Sequence, residues 1–122
     1  MEPELSAINL ARELLSKYAA GERNFQESNL AGVNFQGNNL KGVNLSYADL
    51  SGANLSQVNF RGADFSYADL SSANLTQADL RGAIIIGTDL REANLENTLL
   101  DKADYDNTTK FPQGFEPKSE LG

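Results

Sequence analysis

The sequence predicts an all-β solenoid of about four coils, preceded by one helix. Three observations carry this. An apolar residue returns at every fifth position through most of the chain. A second period of twenty is laid over the first. The segment before the repeats follows the helical period instead.

The five-residue period runs unbroken from Phe25 to Tyr105, through Leu30, Phe35, Leu40, Leu45 and so on, seventeen centres in succession. Two residues before a centre the side chain is short, usually Ala (Ala48, Ala53, Ala63, Ala68) or Val (Val33, Val43, Val58). Immediately before the centre stands Asn or Asp, with Ile84 and Leu99 as exceptions. Apolar residues five apart make no stripe on a helix of period 3.6 and no face on a strand of period 2. The ten glycines and the many Asn, Asp and Ser residues also disfavour helix. A chain that turns a corner every five residues does fit. Each short side then points one large and one small residue inward, and four sides close a coil of twenty.

The longer period is seen independently. Residues 44–63 and 64–83 agree at thirteen of twenty positions, and SYADL occurs in both. The A-(N/D)-(L/F)-x-x array resembles the pentapeptide-repeat family, in a form similar to its cyanobacterial members. The resemblance covers residues 23–107. It implies a right-handed quadrilateral β-helix, with the centre and the residue two before it pointing inward and the other three outward. A tail such as TKFPQGFEP (residues 109–117) follows the repeats in some cyanobacterial members.

A solenoid leaves unpaired backbone at both ends, so covers are expected. Residues 1–22 read as an N-terminal capping helix. Pro3 suits a first turn and Gly21 a stop. Ala7, Ile8, Leu10, Ala11, Leu14, Leu15 and Tyr18 fall within an arc of about 160° at about 100° per residue. A membrane-surface helix is the alternative, but its polar face should be basic and this one is mixed. Residues 108–122 leave the repeat. Phe111 and Phe115 are expected to cover the last coil, or else to meet a partner.

Stacking at period twenty gathers residues into columns. Lys41, Arg61 and Arg81 share one face, and Asp49, Asp69 and Asp89 the opposite one. Asn34, Asn54, Asn74 and Asn94 are expected to form an amide ladder between them. Tyr47 and Tyr67 should stack on the remaining face, where the next coil substitutes Gly87. Each column is either solvated surface or a recognition element. The strongest anomaly is Ile84-Ile85-Ile86, in which Ile84 and Ile86 take polar places, together with Leu99. An exposed apolar patch is expected there, covered by Phe111 and Phe115 or used as a dimer or partner interface.

The composition limits function. With 17 acidic and 10 basic residues the net charge is -7, which disfavours direct binding of nucleic acid. There is no Cys and no His, so no thiolate zinc site and none of the commonest general base. No nucleophile motif or phosphate loop is present. Three aspartates in a column are weak evidence for a metal. No enzyme activity, cofactor or metal is expected. The start MEPELSAINL lacks a signal-peptide pattern and no apolar run reaches membrane-spanning length, so a cytoplasmic location off the membrane is expected. The leading expectation is a non-catalytic scaffold for an unidentified protein partner, monomeric or weakly dimeric. The resemblance offers an alternative, a DNA mimic that binds DNA gyrase. The Lys41/Arg61/Arg81 stripe, the short column and the lack of a C-terminal helix weigh against it.

Overall fold

The computed structural model describes residues 3–117. Residues 1–2 and 118–122, expected in the cap and the tail, lie outside the described residues. One helix, α1 (Pro3–Ala19), precedes a four-sided solenoid.

The solenoid is built without extended strands. Each side contributes one residue to a parallel bridge, and bridges join positions twenty apart: Asn24 to Asn44, Asn44 to Asp64, Asp64 to Ile84 and Ile84 to Asp104 on one face. The bridge residue is the Asn or Asp before each centre. Phe35, Leu40, Leu45, Leu50, Leu55, Phe60, Phe65 and Leu70 are wholly buried, as are Ala53, Ala63 and Val33 two places before their centres. At about 1.5–3 kcal/mol per large apolar side chain, burial of four centres per coil supplies the main drive for stacking.

A five-residue unit with Asn or Asp before its centre gives each backbone N–H a fixed route. At the first side, Phe25 N–H donates to Asn44 O at 2.8 Å and Glu27 N–H to Ser46 O at 2.9 Å, both in the next coil. Asn44 N–H returns a bond to Arg23 O at 2.8 Å. Ser28 N–H closes a turn onto Phe25 O. One donor remains, on the residue after the centre, and the Asn or Asp side chain takes it: Gln26 N–H donates to Asn24 Oδ1, and Ser66 N–H to Asp64 Oδ1 at 2.8 Å. The same link recurs from Asn24 to Asn94 at most repeats. Asn and Asp are thus selected because an orphaned backbone donor is costly.

Each corner is a turn with positive φ at its third residue, two after the centre. This is the type II geometry that favours glycine. Gly32, Gly42, Gly52, Gly62 and Gly82 occupy such corners, but so do Tyr47 (φ 61°) and Tyr67 (φ 59°).

At the first coil, α1 buries Ala11 and Leu14 in the same cluster as Phe25 and Leu30. Ala7, Leu15 and Tyr18 are partly buried there, whereas Ile8 and Leu10 remain exposed. The helix therefore turns only part of its apolar arc to the coil. Tyr18 Oη donates to Lys41 O at 2.6 Å, taking the place of the N–H that a preceding coil would offer. The Arg23 guanidinium lies 3.7 Å above the Tyr18 ring and donates to Tyr18 O, fixing the helix exit.

At the other end the ladder continues beyond residue 107, where the repeats were expected to stop. Asp89 pairs with Lys110, twenty-one residues on. The added residue lies in a turn in which Thr109 N–H meets Asp106 O and Thr108 N–H meets Asp106 Oδ1. Thr109 then points inward like a repeat residue, its hydroxyl donating to Ile85 O at 2.7 Å. Thr88 makes the equivalent bond to Phe65 O, which is how a hydroxyl is tolerated at full burial.

Candidate protein-interaction surface

The expected tyrosine column is present. The rings of Tyr47 and Tyr67 stack with centroids 5.3 Å apart and planes 20° from parallel. They are 60% and 53% exposed. A left-handed backbone costs a non-glycine residue about 1–2 kcal/mol, and stacking returns about 0.5–1.5 kcal/mol per pair. Such corners also accept Glu27, Gln57, Ser72 and Gln77, so it is the exposed rings and not the backbone that set these two positions apart. Below them the column ends on Gly87, where a Cβ would lie 2.3 Å from Tyr67 Cδ1. The loss of the aromatic at 87 is thus what seats the Tyr67 ring on the chain beneath it.

Ile86 precedes Gly87 on the same corner, and Ile84 lies on the adjoining side. Both are half-buried rather than exposed as expected. Ile86 lies one coil below the tyrosine pair, its carbonyl accepting from Tyr67 N–H at 2.9 Å. Neither Ile84 nor Leu99 can give the acceptor that Asn or Asp gives elsewhere, so the N–H groups of Ile86 and Asp101 lack the usual side-chain partner.

Leu99 belongs to a different place. It is 44% exposed and lines an open groove at the C-terminal end with Ile85, Leu100, Tyr105, Phe111 and Phe115. Phe111 stacks on Phe115 at 5.3 Å and meets Tyr105 edge-on at 5.5 Å. The tail aromatics thus pack at the end of the column, and Ile84 and Ile86 do not line that groove.

The charged columns are partly committed to the fold. Asp49 Oδ1 accepts from Ser51 N–H and Oγ–H, and Asp69 Oδ1 from Ser71 in the same way. Arg91 donates to both oxygens of Asp89, at 3.0 and 2.8 Å. In the opposite column, Arg81 grips Asp79 at 2.9 and 2.7 Å. Hydrogen bonds from these arginines hold the carboxyls of Asp79 and Asp89 below the usual range. Lys41 and Arg61 are exposed and make no ion pair among the described residues. The amide ladder also differs from expectation. Asn54 Oδ1 serves its own turn and its Nδ2 donates to Gln36 Oε1 at 3.3 Å. A true cross-coil amide link joins Gln57 Nε2 to Gln77 Oε1 at 2.9 Å.

The positive-φ corners and the Asx role were missed in the sequence. Both had signals: glycine recurring two places after the centre, and Asn or Asp standing immediately before nearly every centre.

Comparison with known proteins gives concordant results. The family model described as pentapeptide repeats matches residues 24–57 and 59–97, in 8 copies. The crystal structure of alr5209, a pentapeptide repeat protein from Nostoc PCC 7120, is 50% identical over 86% of this chain and 87% of that one, with a TM-score of 0.85. HetL from Nostoc PCC 7120, a pentapeptide repeat protein involved in heterocyst differentiation regulation, is 40% identical over 75% of this chain and 45% of its own, with a TM-score of 0.40. Rfr23 from Cyanothece 51142 is 31% identical over 72% and 63%, with a TM-score of 0.43. A comparison with curated proteins returns no match.

Proposed function

The chain belongs to the pentapeptide-repeat family, whose members form right-handed quadrilateral β-helices, and we propose that it acts as a non-catalytic protein-interaction scaffold. The contact surface is the ridge of Tyr47, Tyr67, Ile84 and Ile86. The observation that carries this reading is the stacked pair of exposed tyrosines. Nothing in the fold requires them, while aromatic side chains of this exposure are characteristic of contact surfaces.

Several features support the non-catalytic part. The interior is filled by Leu and Phe centres, which leaves no room for a substrate between the coils. Histidine and cysteine are absent from the sequence. No helix of the described residues is long and apolar enough to cross a membrane. The DNA-mimic alternative finds less support. An acidic face that imitates phosphates needs unpaired carboxylates, yet Asp89 is paired with Arg91 and the column stands opposite the cations Lys41 and Arg61. We also assign α1 as a cover for the first coil, on the strength of its buried Ala11 and Leu14 and the Tyr18–Lys41 bond.

The test is affinity capture from the source organism with the wild-type chain and with Tyr67→Gly/Ile86→Ser. A protein retained by the first and lost by the second, with melting temperature preserved, is the expected outcome. If the two recover the same proteins, the ridge is not the contact surface.

A further inference from the structure

We infer that the tyrosine ridge receives arginine side chains from an extended basic segment of its partner; this rests on the ridge being the contact surface. The column reads Glu27, Tyr47, Tyr67, Gly87 from the first coil downward, each at a positive-φ corner and twenty residues from the next. One face of Tyr47 is taken by Tyr67. The other looks toward the coil that carries Glu27. Glu27 is exposed and makes no ion pair among the described residues.

Carboxylates flank the rings on both sides of the corner. Asp64 precedes Tyr67 on one side of the coil, while Asp49 and Asp69 follow the two tyrosines on the next. In Asp49, Asp64 and Asp69 it is Oδ1 that accepts the turn bonds, and none of the three is ion-paired among the described residues. The corner itself carries no basic residue between Glu27 and Tyr67, and Arg23, on the side that leads to Glu27, is turned onto the Tyr18 ring. The cations Lys41 and Arg61 sit at the previous corner of the coil, and Arg91 is spent on Asp89. An aromatic face bordered by carboxylates, in a chain of net charge -7, is the complement of a planar cation. Guanidinium fits better than ammonium. It stacks flat on a ring while its edge donors reach a carboxylate, whereas a lysine is a compact, strongly hydrated point charge. The column steps down the coils by about 4.8 Å at a time, so a segment that meets both Glu27 and the Tyr47 ring lies along it.

The experiment titrates the full chain with two synthetic peptides of equal length and charge, one carrying arginine and the other lysine on a Gly-Ser background. Backbone amide NMR shifts and tyrosine fluorescence serve as readouts. The arginine peptide is expected to bind about threefold to tenfold more tightly than the lysine peptide, with shifts centred on residues 27, 47 and 67. Glu27→Gln and Tyr47→Gly should each weaken it by about fivefold, and Glu96→Gln, which removes the same charge from another face, by less than about twofold. Equal binding of both peptides with equal sensitivity to all three changes would show charge attraction alone and overturn the proposal. So would self-association of the chain through this ridge, seen by sedimentation, with no arginine preference. If the peptides fail while partner capture still depends on Ile86, the arginine inference falls and the scaffold reading stands. If capture is also insensitive, both fall.

Discussion

The middle coils and the C-terminal end obey the same five-residue rule, but only the middle completes it. Around Leu50 and Leu70 every centre is fully buried, every corner residue has a partner coil below, and Asp49 and Asp69 serve their turns. From Ile84 onward the rule is met in part. Ile84 and Leu99 lack the side-chain acceptor, the register slips to twenty-one residues at Lys110, and Tyr105 and Leu99 are left exposed. The difference shows that the fold is held by two separable conditions, a filled interior and a complete set of backbone partners. Ile85 meets the first fully while its neighbour Ile84 abandons the second.

The largest contrast should appear in the interior. Leu70→Ala removes a side chain with no exposure and is expected to cost about 3–4 kcal/mol by urea unfolding. Leu100→Ala, where the centre is only partly buried, should cost less than about half of that. Equal losses would mean that the end is as tightly packed as the middle.

A sharper test compares two glycines with nearly equal φ, 70° at both Gly82 and Gly87. A Cβ at Gly82 meets nothing within 4 Å, so Gly82→Ala should cost only about 1 kcal/mol for its backbone. At Gly87 the new Cβ strikes the Tyr67 ring, so Gly87→Ala should cost about 2–3 kcal/mol. Combining it with Tyr67→Gly should recover most of the excess in a double-mutant cycle.

Smaller still is the turn contribution. Asp69→Ala leaves the Ser71 N–H without its acceptor and should lower stability by about 1 kcal/mol, while Asp69→Asn keeps the acceptor and should be nearly neutral. The smallest effect concerns pH. Asp79 and Asp89 have lowered folded pKa values, so their pairing with Arg81 and Arg91 contributes fully above the unfolded value of about 3.9 and is lost as pH falls through the folded values. Both pairs are partly exposed, so Arg81→Gln/Arg91→Gln should flatten the decline of melting temperature below about pH 4 by no more than a few degrees.

The coil was legible because its period is carried by side chains that alternate between interior and surface, as Leu45, Leu50 and Leu55 do without interruption. The Tyr47–Tyr67 stack followed from the same twenty-residue pitch. The half-burial of Ile84 and Ile86 did not. The position of Phe111 was hidden by one inserted residue, because a register slip changes which side of the coil a side chain meets. The charge columns misled for a related reason. Sequence order places Arg91 two residues after Asp89, but only the turn brings the guanidinium onto both carboxylate oxygens.

Hydrogen exchange of single amides tests most directly whether the Asn or Asp before each centre completes the backbone. Ser66 N–H, held by Asp64 Oδ1 at 2.8 Å, should exchange at least about tenfold more slowly than Ile86 N–H one coil below, where Ile84 offers no acceptor. Arg81 and Asp101 should show the same ordering on the neighbouring face. Equal protection within each pair would contradict this role for the Asn and Asp side chains.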